Sequence, residues 1–193
     1  MSFQKNGENQ HLSKFAINNQ LRKLFINSKT FNRFVTKKDR VADLGCGSGY
    51  FTIELAKAVG PDGVIYAVDP DENAIRVLNL RIEKRNLDNI KVHVTSAANV
   101  DFIPTGSIDF VLAWELLCCV SPPYQKDVID EIMRIMKPEA LAYLSVDRYF
   151  GSYVDKKEWD AILDSFEVIR KNKIFLLKDR SALVIKKHQS QNS

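Results

Sequence analysis

Apolar residues in this chain fall into short dense runs separated by amphipathic stretches, and the two kinds alternate. The runs at 41–44, 64–69, 90–95, 108–114 and 141–147 have the length and the Val/Ile/Leu content of buried strands. Helical spacing occupies the intervals 50–59, 71–85 and 124–136, and recurs at 156–166. Two further strands, 167–175 and 181–187, follow as a hairpin. Alternating β and α units predict a parallel sheet with helices on both faces, and the hairpin adds one antiparallel strand. The expectation is an α/β fold with a seven-stranded, mostly parallel sheet. Upstream, Leu12, Phe15, Ala16, Leu21, Leu24, Phe25, Phe31, Phe34 and Val35 recur at roughly helical spacing. They predict one or two amphipathic helices over 12–35, broken near Asn27-Ser28, with the aromatic stripe serving mainly as core.

The first strand ends in Val41-Ala42-Asp43-Leu44-Gly45-Cys46-Gly47-Ser48-Gly49-Tyr50-Phe51-Thr52. An apolar run meets an acid, three glycines follow at alternate positions, and a helical pattern starts at once. Glycine permits unusual turn dihedrals and close approach of a ligand to the backbone. The helix start offers unpaired N–H groups and partial positive charge. A dinucleotide loop reads G-x-G-x-x-G, and its third glycine would fall at Tyr50. Asp43 at the mouth of the loop repels a pyrophosphate but attracts an ammonium or sulfonium. Asp69 follows Gly49 by 20 residues at the end of the next strand, where an acid takes both ribose hydroxyls.

These features resemble motif I and motif II (Ala67-Val68-Asp69-Pro70) of the class I S-adenosylmethionine (SAM)-dependent methyltransferases. From about 39 to 147 the chain is similar to the ubiquinone/menaquinone-biosynthesis methyltransferase-like (type 11) group. Ser96-Ala97-Ala98 stands at motif III, Ser107-Ile108-Asp109-Phe110-Val111 at the start of strand four, and Glu131-Ile132-Met133-Arg134-Ile135-Met136-Lys137-Pro138 resembles the family's E-x-x-R-x-L-K-P helix end. The resemblance implies a Rossmann-like class I methyltransferase fold with SAM as cofactor and S-adenosylhomocysteine as product. It implies cofactor contacts from Asp43, Gly45, Cys46, Gly47, Gly49, Tyr50, Asp69, Pro70, Ser96, Ala97, Ala98 and Trp114. It further implies an N-terminal helical lid (1–36), a SAM-binding domain (37–187) and a tail (188–193).

Three departures from the family pattern bear on function. The family's Asp-Ala after strand three is Ser96-Ala97, which removes the acid that holds the adenine amino group. The family's L-x-H-H-V after strand four is replaced by Leu117-Cys118-Cys119-Val120, and its Gly-Gly after the K-P step by Glu139-Ala140. The adjacent cysteines read as packing rather than as a thiophilic site. Ser121-Pro122-Pro123-Tyr124 looks like the amine-binding tetrapeptide of amino-directed methyltransferases, but lies too far beyond strand four. It reads instead as a proline-opened helix.

Composition narrows the partners. The chain has 193 residues and a net charge of +4, with 45% apolar and 27% charged residues. Those fractions are usual for a soluble globular domain, and no apolar run reaches membrane-spanning length. The first ten residues are polar, so a cytoplasmic protein is expected. Three cysteines provide no disulfide framework and no zinc spacing, so no metal is expected. Residues 1–40 hold nine Lys/Arg against two acids and 166–193 hold seven against two, leaving 41–165 with twelve against twenty. Basic ends allow an RNA or protein substrate, yet no aromatics interleave with them to form a stacking platform. A small-molecule methyl acceptor is the leading expectation, with a non-catalytic SAM-binding subunit as a further alternative. Candidate proton acceptors are Glu115, Asp147, Tyr149 and His11, with Arg148 for an anionic substrate and Trp114 touching cofactor and acceptor. His93 and His188 are assigned no role, and the oligomeric state is left open.

Overall fold

The computed structural model describes residues 27–146, 154–174 and 179–187. A 3-10 turn at Asn32–Phe34 precedes β1 (Arg40–Leu44), α1 (Thr52–Val59), β2 (Val64–Asp69), α2 (Glu72–Glu83), β3 (Ile90–Val94) and β4 (Ile108–Ala113). Then come α3 (Pro122–Ile135), β5 (Met136–Val146), α4 (Lys156–Leu163), β6 (Phe166–Ile174) and β7 (Asp179–Lys186). The strands form one seven-stranded sheet in the order β3-β2-β1-β4-β5-β7-β6. β7 runs antiparallel to both β5 and β6, while the other neighbours are parallel. The order reverses between β1 and β4, so the crevice beyond their C-terminal ends is the place where such a sheet binds ligand.

Strict alternation of side chains divides the core. Ala42, Leu44, Val111, Ala113, Leu144 and Val146 pack against α3 and α4 through Val128, Ile132, Trp159 and Ile162. Val41, Ile65, Phe110, Leu112 and Tyr143 face the other way, toward Leu55 and Val59 of α1. Ala67 meets Ile75 and Leu78 of α2. Helices therefore cover both faces, and Asp43, in phase with Val41, lies on the α1 side.

Local chemistry accounts for the element ends. Asp71 caps α2 by accepting from the N–H groups of Asn73 (2.9 Å) and Ala74 (3.3 Å), worth about 1 kcal/mol. Asp155 and Glu158 make a reciprocal capping box on α4. Pro122 and Pro123 open α3, and β4 stops at Ala113, so the Ser121-Pro122-Pro123-Tyr124 stretch is a helix start.

Two sequence expectations are corrected. Residues 27–35 form a turn and a 3-10 turn rather than α-helix; the helical spacing expected over 12–26 lies outside the described residues. β5 begins at Met136 rather than 141, immediately after the helix. Ile108 pairs with Met136, the register then shifts, and Phe110 pairs with Leu141. Pro138 and Glu139 sit exposed in this irregular stretch, where a missing ladder donor costs little. Asp109 fastens the junction, accepting from the Arg40 backbone N–H at 2.9 Å and from Lys137 Nζ at 2.5 Å.

Candidate functional site

The glycine loop is hung from β2 by two hydrogen bonds. The N–H groups of Gly45 and Cys46 both donate to the Val68 carbonyl, at 2.8 and 3.0 Å. Gly45, Gly47 and Gly49 all have positive φ, at 75°, 52° and 77°, a region that costs other residues about 1–2 kcal/mol. Their surroundings differ. A Cβ on Gly49 would lie 2.3 Å from Leu78 Cδ1, and one on Gly45 would lie 3.1 Å from Leu116 Cδ1. A Cβ on Gly47 would have nothing within 4 Å. Gly49 thus lets α2 approach, Gly45 lets the segment after β4 approach, and Gly47 faces open space that a ligand can use. Arg81 of α2 clamps the loop from outside, its Nη1 donating to the Ser48 carbonyl at 2.8 Å.

Two acids stand at this loop. Asp69 Oδ2 accepts from the Gly47 N–H at 2.8 Å and Oδ1 from the Asp71 N–H at 2.9 Å. Each oxygen keeps a lone pair in reserve, since a carboxylate has about four acceptor sites. Burial raises the Asp69 pKa, opposed by those two backbone donors. Asp43 is almost fully buried and accepts from the Thr52 hydroxyl at 2.6 Å. Burial pushes its pKa from 3.8 to about 7, against the lowering effect of the Thr52 bond and with added repulsion from Asp69. Thr52 was not among the residues expected from sequence, although a hydroxyl in the first turn of the helix after such a loop is the signal for it. Burial, reinforced by the charges of Asp43 and Asp69, pushes the Cys46 thiol well above its ordinary value, so it is inert.

The remaining expected residues take definite positions. Pro70 is exposed between the two acids of the β2 turn, and Tyr50 is half-buried, its ring 5.0 Å from that of Phe51. Ser96 spends its hydroxyl oxygen on its own turn, accepting from the Ala98 N–H at 3.2 Å, and Ala97 is buried. Trp114 stands just past β4 and stacks nearly parallel to Tyr143, with centroids 6.0 Å apart and planes 8° apart. Phe31 is fully buried within the same group, 4.8 Å from Phe51 and 4.7 Å from Tyr143. The described part of the N-terminal segment is thus aromatic core.

Beyond Trp114, Glu115 is buried with φ 52°, an uncommon state for a non-glycine residue. Its N–H donates to Ser145 Oγ at 2.9 Å, and its carbonyl accepts from both Cys118 and Cys119 Sγ, at 3.1 and 3.3 Å. The two thiols therefore brace a turn. His93 stacks on Phe102 on β3, an edge strand of the sheet. His11, Asp147, Arg148, Tyr149 and His188 lie outside the described residues. Among the described residues no group of three or more His, Cys, Asp or Glu is placed to hold a metal, and no helix is long and apolar enough to cross a membrane.

A sequence profile for the family described as "Methyltransferase domain" matches residues 41–139. The demethylmenaquinone methyltransferase of Geobacillus sp. (strain WCH70) is 36% identical over 104 residues, which is 54% of this chain and 43% of that protein. The chain thus matches less than half of that relative's length. A SAM dependent methyltransferase from Aquifex aeolicus shares the fold with a TM-score of 0.68 at 20% identity, over 88% of this chain and 98% of that one. A second, from Clostridium acetobutylicum ATCC 824, gives a TM-score of 0.73 at 11% identity over 93% and 100%.

Proposed function

Since the chain belongs to the methyltransferase-domain family, we propose that it binds SAM at the Gly45–Gly49 loop and methylates a small, quinone-related aromatic acceptor. The observation that carries the cofactor reading is the link from Gly47 to Asp69, 2.8 Å long, beside the open space at Gly47. It fixes the acid that takes a ribose at the edge of a cradle that a backbone-hugging ligand fills. Asp43 and Asp69 disfavour a pyrophosphate and favour a ligand bearing an ammonium and a sulfonium.

When bound, SAM supplies an electrophilic methyl group on a positively charged sulfur. The chain's own work is to hold the acceptor in line with that methyl, because positioning can supply most of the rate enhancement in such a displacement. Trp114, half-buried just past β4, offers an aromatic ring at that end of the crevice, suited to an aromatic acceptor. The quinone-related class is supported by the demethylmenaquinone methyltransferase relative. Turnover provides the test. Protein, SAM and a reduced demethylmenaquinone analogue are incubated under reductant and read by mass spectrometry. The expected product gains one methyl group and S-adenosylhomocysteine accumulates in equal amount. Accumulation of neither overturns the acceptor assignment.

A further inference from the structure

Most buried polar side chains in the described residues have a partner that explains them; the hydroxyl of Ser181 does not. Ser181 is 3% exposed, and its Oγ has no hydrogen-bond partner among the described residues. It lies on β7 directly opposite Ser145 of β5, with Tyr143 opposite Leu183 two residues on. Antiparallel partners share a face, so Ser145, Ser181 and Tyr143 all point to the side of the sheet that carries Phe31 and Trp114. Ser145 Oγ accepts the backbone N–H of Glu115 and so pins that residue in its left-handed conformation. Ser181 makes no comparable bond. A buried hydroxyl without a partner is costly to keep, and this one faces Ser145 across the ladder, two residues along β5 from Tyr143. Leu116, which follows Glu115, is the residue that packs on Gly45.

We infer that Ser181 is a specificity-determining residue whose hydroxyl binds a ring oxygen of a planar hydroxyaromatic acceptor, with the acceptor's face against half-buried Trp114. Ser145 acts as a positioning residue for the Glu115 turn behind it. This inference rests on the methyltransferase reading above and adds to it the groups that read the acceptor. It also explains why a polar residue occupies a strand position followed by apolar Ala182, Leu183 and Val184.

The test compares the wild-type chain with S181A by calorimetry. S-adenosylhomocysteine is titrated first, then 1,4-dihydroxynaphthalene under reductant into the S-adenosylhomocysteine-saturated protein, with thermal unfolding measured alongside. The expected result is that S181A binds S-adenosylhomocysteine within about twofold of wild type, binds dihydroxynaphthalene about tenfold more weakly, and has an unchanged or higher Tm. A purely structural serine would lower Tm and leave the ligand alone. Equal dihydroxynaphthalene affinity in the two proteins overturns the inference while leaving the methyltransferase reading intact. Wild type that binds S-adenosylhomocysteine but not dihydroxynaphthalene overturns the hydroxyaromatic acceptor and the Ser181 role with it. Failure to bind S-adenosylhomocysteine contradicts the cofactor reading itself.

Discussion

Gly49 and Leu78 touch so closely that a methyl group on the glycine would sit 2.3 Å from Leu78 Cδ1. Leu78 is fully buried on α2, so its side chain has no room to swing away. Gly49→Ala adds this collision to the strain of φ 77° and is expected to destabilise the fold by about 2–4 kcal/mol. Urea unfolding monitored by circular dichroism measures it.

Gly47 provides the contrast. Its φ is 52° but a Cβ there meets nothing. Gly47→Ala is expected to cost only about 1 kcal/mol of stability, yet to weaken SAM binding by about tenfold or more because the methyl enters the ligand's space. If the two glycine variants lose stability equally and bind SAM alike, the division of labour in the loop is wrong.

Asp43 is expected to make SAM binding pH-dependent. Its pKa is raised from 3.8 to about 7 in the folded, ligand-free protein. A cationic ligand prefers the ionised form, so SAM affinity should rise with pH up to about 7, by as much as about tenfold per unit below it, and level off above. Asp43→Asn, which keeps an oxygen for the Thr52 hydroxyl, should flatten that dependence. Fold stability moves in the opposite direction. The native state holds a proton that the unfolded state releases, so this group's contribution is most favourable below about pH 4 and is lost as pH rises to about 7, an effect of about 4 kcal/mol. Asp43→Asn removes this fall, which chemical denaturation at several pH values can follow.

Arg134 gives the E-x-x-R signature a structural meaning. Its Nε donates to Glu131 Oε1 at 2.7 Å and Nη2 to Oε2 at 2.8 Å, while Nη1 and Nη2 reach the carbonyls of Ile103 and Val100 at 2.8 and 3.0 Å. The matched positions form a clip holding the 100–105 segment to α3. Arg134→Ala is expected to cost about 2–3 kcal/mol, and Arg134→Lys to recover little because an ammonium cannot reproduce the fork. Thermal unfolding of the two variants decides.

Periodicity exposed the strands, the helices and the mostly parallel sheet with its antiparallel strand, because the central parallel strands are buried on both faces and each helix on one. The glycine loop, Asp43 and Asp69 were equally legible, since their chemistry depends on spacing within one βαβ unit. The start of β5 was not, because Lys137-Pro138 imitates a turn while the register shift opposite Asp109 absorbs it. Thr52 carried a local signal in its place in the first helical turn, but Ser145 and Ser181 were missed for another reason. Their significance comes from a partner, or its lack, across the sheet or loop, and nothing local distinguishes a serine in an apolar strand that pins a turn from one without a partner. Glu115 was visible as an acid after strand four, but its left-handed backbone emerges only once Ser145 is beside it.

Whether the Gly45–Gly49 loop and Asp69 hold SAM is decided by calorimetric titration of wild type and Asp69→Ala with SAM and S-adenosylhomocysteine. Wild type should bind both in the micromolar range. Asp69→Ala loses the carboxylate proposed to hold the ribose and the tie to Gly47, and should bind each about a hundredfold more weakly or not at all. No binding by the folded wild type, or equal binding by the variant, would overturn the assignment of the cofactor to this loop.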